Sequence, residues 1–396
     1  MPQNLSLYVL LILAIGAGFI LGKRDKLKRD RNPQLIPKPY LTGLNFLLNE
    51  QLDKAIEIFA KNIAISDETI NTHLALGNSV RRQGEIDRAI RIHQNLLARP
   101  GLSAKKCASI EIELARDYLS AGLLDRAERL LQDLARSSTR FGSTARLLLL
   151  DIYERESEWQ AAIDTAKTLL KKNLFSRDGL GDDSMARSRL KIALAHYYCE
   201  QAELTRSSAD LGQTRKLLHQ ASLVDPNSAR VSLACSDLEI EELKFHKAKI
   251  CLERVAQQNA GLIPETLTRY QSVCCSLELD QDYYRYLVTC LKRSSHIEIL
   301  TEFARLKRLR SGAEEARRFV LEEVSKQPSV AGVRLLFDLF EDDAGKHAVD
   351  IMAIKQSLGS EGSVQTFRCR NCGFSLKQLL WFCPSCKLWG EISPGS

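Results

Sequence analysis

The sequence predicts an all-α protein with three parts: an N-terminal membrane helix, a long array of paired helices, and a small C-terminal metal-binding ribbon. Three observations support this prediction: an uncharged apolar run in residues 1–22, a spacing of 34 residues through the body, and two Cys-x2-Cys pairs near the C-terminus. The 396 residues include only 21 glycines and 10 prolines, too few for the many turns that an all-β chain needs.

Composition and charge exclude several classes of protein. Charged residues make up 27% of the chain and hydrophobic residues 44%, which fits neither a disordered chain nor a polytopic membrane protein. The net charge of +7 comes entirely from residues 23–31 and 367–396, so residues 32–366 carry no net charge. A nucleic-acid binder usually carries a basic face across its folded body, and we therefore expect no nucleic-acid partner.

Residues 1–22 predict a transmembrane anchor. They contain no charged side chain, and residues 5–22 form an 18-residue, mostly apolar run, near the lower end of the ~17–25 residues that span a bilayer as a helix. A cleaved signal peptide is the alternative, but its basic region precedes the apolar run, whereas the basic stretch here (within 23–39) follows it. The positive-inside rule then predicts a periplasmic N-terminus, a basic cytoplasmic linker over 23–39 and a cytoplasmic body.

From Tyr40 to about Leu358 the chain repeats itself. Small residues recur at the start of apolar helical patterns, with gaps of 34 residues, of twice 34, or of somewhat more: Ala55, Ala89, Ala127, Ala162, Thr214, Ala248 and Ala316. A period of 34 is the tetratricopeptide length, in which each unit is a pair of antiparallel helices. The sequence therefore predicts a tetratricopeptide superhelix over 40–358 with about nine units and an insertion loop at 173–185. Within residues 249–310 the motif matches poorly, and repeats there are inferred from the period alone.

A solenoid of this kind presents the first helix of each pair to a groove. Helical spacing around the Leu-Gly and Leu-Ala positions selects five polar residues for this surface: Asn71, Asn78, Arg81, Arg82 and Arg116. An Asn and Arg cluster suits a carboxylate or an acidic peptide segment. The alternative is a solvated polar face with no partner.

Four of the eleven cysteines form the pattern Cys369-x2-Cys372-x10-Cys383-x2-Cys386. Two Cys-x2-Cys pairs this close predict a tetrahedral thiolate site, and four thiolates leave no open coordination position, so the site is structural. Zinc is the first expectation; iron fits the same geometry and would imply electron transfer. The domain spans 367–396 after a linker at 359–366, and we expect it to cap the open end of the solenoid. The other seven cysteines show no motif spacing.

No catalytic motif is present. The seven histidines form no HExxH pattern, and no GxxxxGK[ST], GxGxxG or GxSxG occurs. The sequence therefore predicts a binding protein with no enzymatic activity.

The order of the parts resembles the lipopolysaccharide assembly protein B family of Gram-negative bacteria. The likeness is carried by residues 40–59, 73–97, 117–130, 157–166, 192–202, 227–233 and 367–390. Among these segments, RQGEIDRAIRIHQ (82–94) and FRCRNCGF with WFCPSCKLWG (367–390) are far more specific than a generic repeat. The likeness is weakest at about 250–360.

The resemblance implies a function that the residues alone do not reach. It implies a single-pass inner-membrane adaptor that restrains lipopolysaccharide synthesis by promoting degradation of the committed-step UDP-acyl-N-acetylglucosamine deacetylase by the membrane protease FtsH. An inner-membrane regulator of the pathway and other lipopolysaccharide assembly proteins are further expected partners. The ribbon is then rubredoxin-like, with Cys369, Cys372, Cys383 and Cys386 as its metal ligands. A scaffold that gathers lipopolysaccharide enzymes at the membrane, with no role in proteolysis, fits the same parts and stays the alternative.

Overall fold

The computed structural model describes residues 41–43, 45–46, 51, 54, 58, 70–137, 141–172, 184–341 and 366–394. The predicted anchor (1–22), the basic linker (23–39), Ala55, residues 173–183 of the insertion loop and the linker 359–366 apart from its last residue lie outside this part of the chain. Among the described residues, no helix combines the length and the apolar character that crossing a membrane requires.

From Ile70 onward the described residues form fifteen α-helices and three short strands. The helices are α1 (Ile70–Arg82), α2 (Ile86–Leu97), α3 (Ala104–Ser120), α4 (Leu124–Arg136), α5 (Phe141–Glu156), α6 (Trp159–Lys172), α7 (Ser184–Ser207), α8 (Leu211–Val224), α9 (Ala229–Glu241), α10 (Phe245–Gln258), α11 (Ile263–Ser276), α12 (Asp280–Leu291), α13 (Ile297–Ser311), α14 (Ala313–Lys326) and α15 (Val330–Glu341). Because α7 begins at Ser184, the predicted insertion loop ends two residues earlier than expected.

Two compact units divide between Leu130 and Leu131, and we call them the N-terminal unit and the C-terminal unit. In the C-terminal unit each helix from α5 to α15 packs against the next one. Helices α9, α11 and α13 start at Ala229, Ile263 and Ile297, which are 34 residues apart. The tetratricopeptide arrangement is therefore confirmed, including in 249–310, where the motif was weak. We call the odd-numbered helices of these pairs first helices and the even-numbered ones second helices.

The small residues that gave the period share one structural position. Each is the fourth residue of a second helix and is at most 1% exposed: Ala89, Ala127, Ala162, Thr214, Ala248 and Ala316. A small side chain there lets the two helices of a pair approach closely.

Helix α12 departs from this rule, which explains the weak motif around it. Its fourth residue is Tyr283, which is 4% exposed. The Tyr283 hydroxyl donates a hydrogen bond to Glu302 at 3.0 Å. Tyr270 stacks on Tyr286 with ring centroids 3.8 Å apart and an angle of 5° between planes. Aromatic packing replaces the alanine contact in this pair of helices, so the period persists while the small residue disappears.

The C-terminal ribbon is a three-stranded antiparallel sheet in the order β2-β1-β3. Strand β1 (Phe367–Cys369) pairs with β2 (Ser375–Leu376), with Phe367 opposite Leu376, and with β3 (Ile392–Pro394), with Cys369 opposite Ile392. The sheet brings the two cysteine pairs of the sequence into one small domain, whose apolar interior includes Phe367 and Ile392.

Candidate metal centre and its docking surface

The four cysteines of the ribbon converge on one point. Their sulfur atoms all lie within 4.8 Å of one another, with 3.6 Å between the Sγ atoms of Cys369 and Cys386 and 3.6 Å between those of Cys372 and Cys383. Four thiolates at about 2.3 Å from a tetrahedral ion lie about 3.8 Å apart. The residues present therefore fit a single metal ion with four sulfur ligands, as the sequence predicted.

Each cysteine pair sits in a turn closed by backbone hydrogen bonds. The N–H of Gly373 donates to the carbonyl of Cys369 at 2.9 Å, and the N–H of Lys387 donates to the carbonyl of Cys383 at 2.8 Å. The backbone N–H of Phe374 is the main influence that lowers the pKa of Cys372, to about 6. Backbone donors of this kind favour the thiolate form that binds metal.

The two turns differ at the residue that follows the second cysteine. Gly373 has a φ of +77° and Lys387 has a φ of +58°, so both occupy the left-handed region, which a side chain makes unfavourable by about 1–2 kcal/mol. The lysine has a use that a glycine lacks, because its Nζ lies 2.7 Å from Oδ1 of Asp151 on α5. The departure from glycine thus ties the metal turn to the helical array.

The ribbon does not cap the end of the helical array, as we expected from sequence. It lies against the first helices of the C-terminal unit, and β3 also approaches the turn before α11, where a Cβ added to Gly261 would lie 3.4 Å from Pro394. The reason is that its apolar aromatic residues find partners on α5, α7 and α9. The ribbon is therefore part of the C-terminal unit.

Trp389 is the centre of this contact. Its indole Nε1 donates a hydrogen bond to Oε1 of Glu154 at 2.7 Å, and the hydroxyl of Tyr197 donates to the same oxygen at 2.6 Å. Burial raises the pKa of Glu154 above its usual value, and these two hydrogen bonds oppose that shift. An acceptor placed between two buried donors fixes the position of the indole ring.

His196 and Arg230 complete the surface under the ribbon. The imidazole of His196 stacks on Trp389 with centroids 5.1 Å apart, and burial holds the pKa of His196 well below its usual value. Its neutral Nδ1 accepts a hydrogen bond from Arg230 at 3.1 Å. The Arg230 guanidinium also lies 5.5 Å from the Trp381 ring and 5.9 Å from the Trp389 ring. These contacts are cation–π interactions.

All three tryptophans of the chain belong to this contact, since Trp159 meets Trp389 edge to face at 6.0 Å. The sequence gave the aromatic residues of the ribbon but not their partners on the helices. Asp151, Glu154 and Arg230 follow no motif. The ribbon binds them across about 235 residues of chain.

The five predicted groove residues lie in the N-terminal unit. Asn71 and Arg82 are exposed, and Asn78 has a buried Oδ1 with no hydrogen-bond partner among the described residues. Arg116 pairs with Glu113 at 2.5 Å. These placements leave the groove assignment of the four residues a prediction.

Arg81 has a structural partner. Its guanidinium bonds Glu113 at 3.0 Å and Asp117 at 2.8 Å. Asp117 is fully buried, and its second oxygen meets Nδ1 of His93 at 2.5 Å. The arginine that we assigned to partner binding thus neutralises a buried carboxylate that joins α1, α2 and α3.

Fold and site together define a class: a tetratricopeptide protein whose C-terminal tetrathiolate metal ribbon is built into the helical array. The profile of a rubredoxin metal binding domain matches residues 367–394. The chain is 33% identical over 393 residues to the lipopolysaccharide assembly protein B of Escherichia coli strain K12, covering 98% of this chain and 97% of the relative. Its counterpart in Haemophilus influenzae is 30% identical over 98% of each chain. The chain belongs to the lipopolysaccharide assembly protein B family.

Among solved structures, a tetratricopeptide repeat protein from Parabacteroides merdae is similar at 12% identity and a TM-score of 0.34, over 69% of this chain and 98% of that one.

Proposed function

We propose that the chain is a non-catalytic adaptor of the inner membrane that presents the committed-step UDP-acyl-N-acetylglucosamine deacetylase to the protease FtsH and so restrains lipopolysaccharide synthesis. Its curated relatives are named for lipopolysaccharide assembly and match it over nearly their whole length. The anchor in residues 1–22, with a periplasmic N-terminus, would confine the adaptor to the bilayer in which the protease resides and so raise their effective concentration.

One observation carries the proposal: the metal ribbon is packed onto α5, α7 and α9 through Trp389 and Lys387. A closed four-sulfur site offers no coordination position for a substrate, and the metal therefore stabilises a binding scaffold. Because the ribbon covers part of the first-helix surface of the C-terminal unit, we assign client contact to the first helices of the N-terminal unit. Arg82 on α1 and Arg116 on α3 are the charged residues there that suit an acidic segment.

The test is the half-life of the deacetylase after protein synthesis is blocked. Cells that lack the chain should keep the deacetylase for several-fold longer than cells that contain it. The double variant Arg82→Glu and Arg116→Glu should behave like the deletion. A matched control, Arg91→Glu with Arg129→Glu, makes the same charge change at exposed positions of the second helices α2 and α4 and should retain the short half-life.

An unchanged half-life in the deletion strain would contradict the adaptor function and leave the non-proteolytic scaffold as the better account. A short half-life in both double variants would contradict only the assignment of the client surface. The remaining expected partners, an inner-membrane regulator and other lipopolysaccharide assembly proteins, belong to the same proposal.

A further inference from the structure

A cavity of about 580 Å³ lies between α8, α9 and α10 in the C-terminal unit. This volume falls within the ~300–1,000 Å³ of small-molecule sites in proteins. The cavity lies on a different side of α9 from the ribbon: Arg230 reaches His196 on α7 and Asp237 pairs with Arg269 on α11 at 2.7 Å. Val231 and Leu238 of the same helix line the cavity.

The interior of the cavity is apolar. Leu218 of α8 and Val231 and Leu238 of α9 are at most 3% exposed and form its walls. The acidic residue in the wall, Glu239, is held at 2.5 Å by Arg215, which also bonds Glu242. The charge of this carboxylate is therefore neutralised within the protein, and the interior suits a hydrocarbon group.

The rim of the cavity is basic. Lys216 and His219 on α8 and Arg254 on α10 line it and are exposed to solvent. The Asp225 carboxylate is also at the cavity, where its Oδ1 accepts a hydrogen bond from the backbone N–H of Asn227 at 3.2 Å. Cationic side chains from two flanking helices above an apolar interior complement a molecule with an anionic head and an apolar tail.

We propose that this cavity is a binding site for an amphipathic organic anion of the fatty-acid type, with its carboxylate between Lys216 and Arg254 and its aliphatic tail against Leu218, Val231 and Leu238. The site is separate from the metal ribbon and from the client surface on α1 and α3. It gives the protein a means to bind an acyl-chain metabolite independently of its protein partners.

The experiment titrates the full chain in lipid nanodiscs with the fluorescent fatty acid cis-parinaric acid, with empty nanodiscs as the background. We expect saturable binding at one site. The methyl ester of the probe, which lacks the charge, should bind at least about tenfold more weakly, which corresponds to about 1.4 kcal/mol.

Variants locate the site. The double variant Lys216→Glu with Arg254→Glu should weaken binding by at least about tenfold, whereas Lys247→Glu with Lys292→Glu changes the same charge at exposed positions outside the cavity and should bind like the wild type. Cys235 also lines the cavity, and Cys235→Phe should fill it and abolish binding. Thermal unfolding checks the fold of each variant, and the charge-reversal pair decides the matter if the phenylalanine variant does not fold.

Three results would overturn the proposal. The first is no saturable binding above the nanodisc background. The second is equal binding of the acid and its ester, which would exclude recognition of the anion. The third is binding unchanged by the Lys216 and Arg254 reversals, which would place the probe elsewhere.

Discussion

Replacing Trp389 with phenylalanine should loosen the ribbon from the helices while leaving the metal ligands intact. The indole N–H donates to Glu154 at 2.7 Å in a buried contact, and Arg230 lies 5.9 Å from the indole ring. Phenylalanine keeps an aromatic ring beside His196 but has no donor for Glu154, and its smaller ring face attracts Arg230 less.

The size of the effect follows from these two losses. A hydrogen bond to a charged acceptor contributes ~1.5–3 kcal/mol, and the weakened cation–π contact contributes ~0.5–1 kcal/mol. The docking free energy should therefore fall by about 2–4 kcal/mol, which raises the undocked population about 30-fold to 700-fold.

Amide hydrogen exchange measures this population directly. In the Trp389→Phe variant, protection should fall by a similar factor in residues 186–200 of α7 and in residues 381–394 of the ribbon, while α13 and α14 keep theirs. The control Phe374→Leu changes a ribbon side chain that is 39% exposed and should shift stability by no more than about 0.5 kcal/mol. Unchanged protection in both segments would refute the docking argument, and an equal loss across α13 and α14 would show a global effect instead.

Three further predictions follow. Chelation of the metal should unfold the ribbon and shift the tryptophan emission to the red, because all three tryptophans lie in its contact with the helices; unchanged emission on metal loss would contradict this. Lys387→Gly removes a left-handed side chain that costs about 1–2 kcal/mol and an exposed ion pair worth about 0–1 kcal/mol, so thermal melting should show equal or greater stability, whereas Asp151→Asn should show a small loss. Arg81→Met should destabilise the N-terminal unit by about 3–5 kcal/mol because buried Asp117 loses its cation, whereas the exposed neighbour change Arg82→Met should stay within about 0.5 kcal/mol; equal denaturant midpoints for the two variants would contradict the pairing.

The repeat architecture was predictable because one packing rule produces it. A small residue at the fourth position of a second helix is needed wherever two helices approach closely, and Ala89, Ala162 and Ala248 record that need in the sequence. Tyr283 shows the limit of the rule, since stacked tyrosines solve the same packing problem with large side chains. The period survived there because hairpin length, unlike residue type, is shared by every unit.

The metal ligands were predictable because their spacing is local, and the docking surface was not because it is long-range. Cys369 and Cys386 are 17 residues apart and belong to one small sheet. Trp389 and Glu154 are 235 residues apart, and nothing within either segment specifies the other. Lys387 was visible as a departure from the glycine of the first turn, but only Asp151 gives that departure a reason.

Arg81 shows why groove residues are hard to assign from helical spacing. Spacing places Arg81 and Arg82 near the same surface, but one residue of rotation along α1 turns Arg81 toward α3. There Glu113 and Asp117 bind it. Whether a polar side chain faces a neighbouring helix or a partner depends on residues of another helix, which the spacing within α1 does not contain.

The most direct test of the adaptor function is a degradation assay with purified components in nanodiscs. FtsH and the deacetylase are incubated with ATP, with and without the full metal-loaded chain, and the loss of intact deacetylase is followed over time. The account predicts several-fold faster degradation when the chain is present, and no acceleration by the Arg82→Glu, Arg116→Glu variant. Equal degradation rates with and without the chain would contradict it.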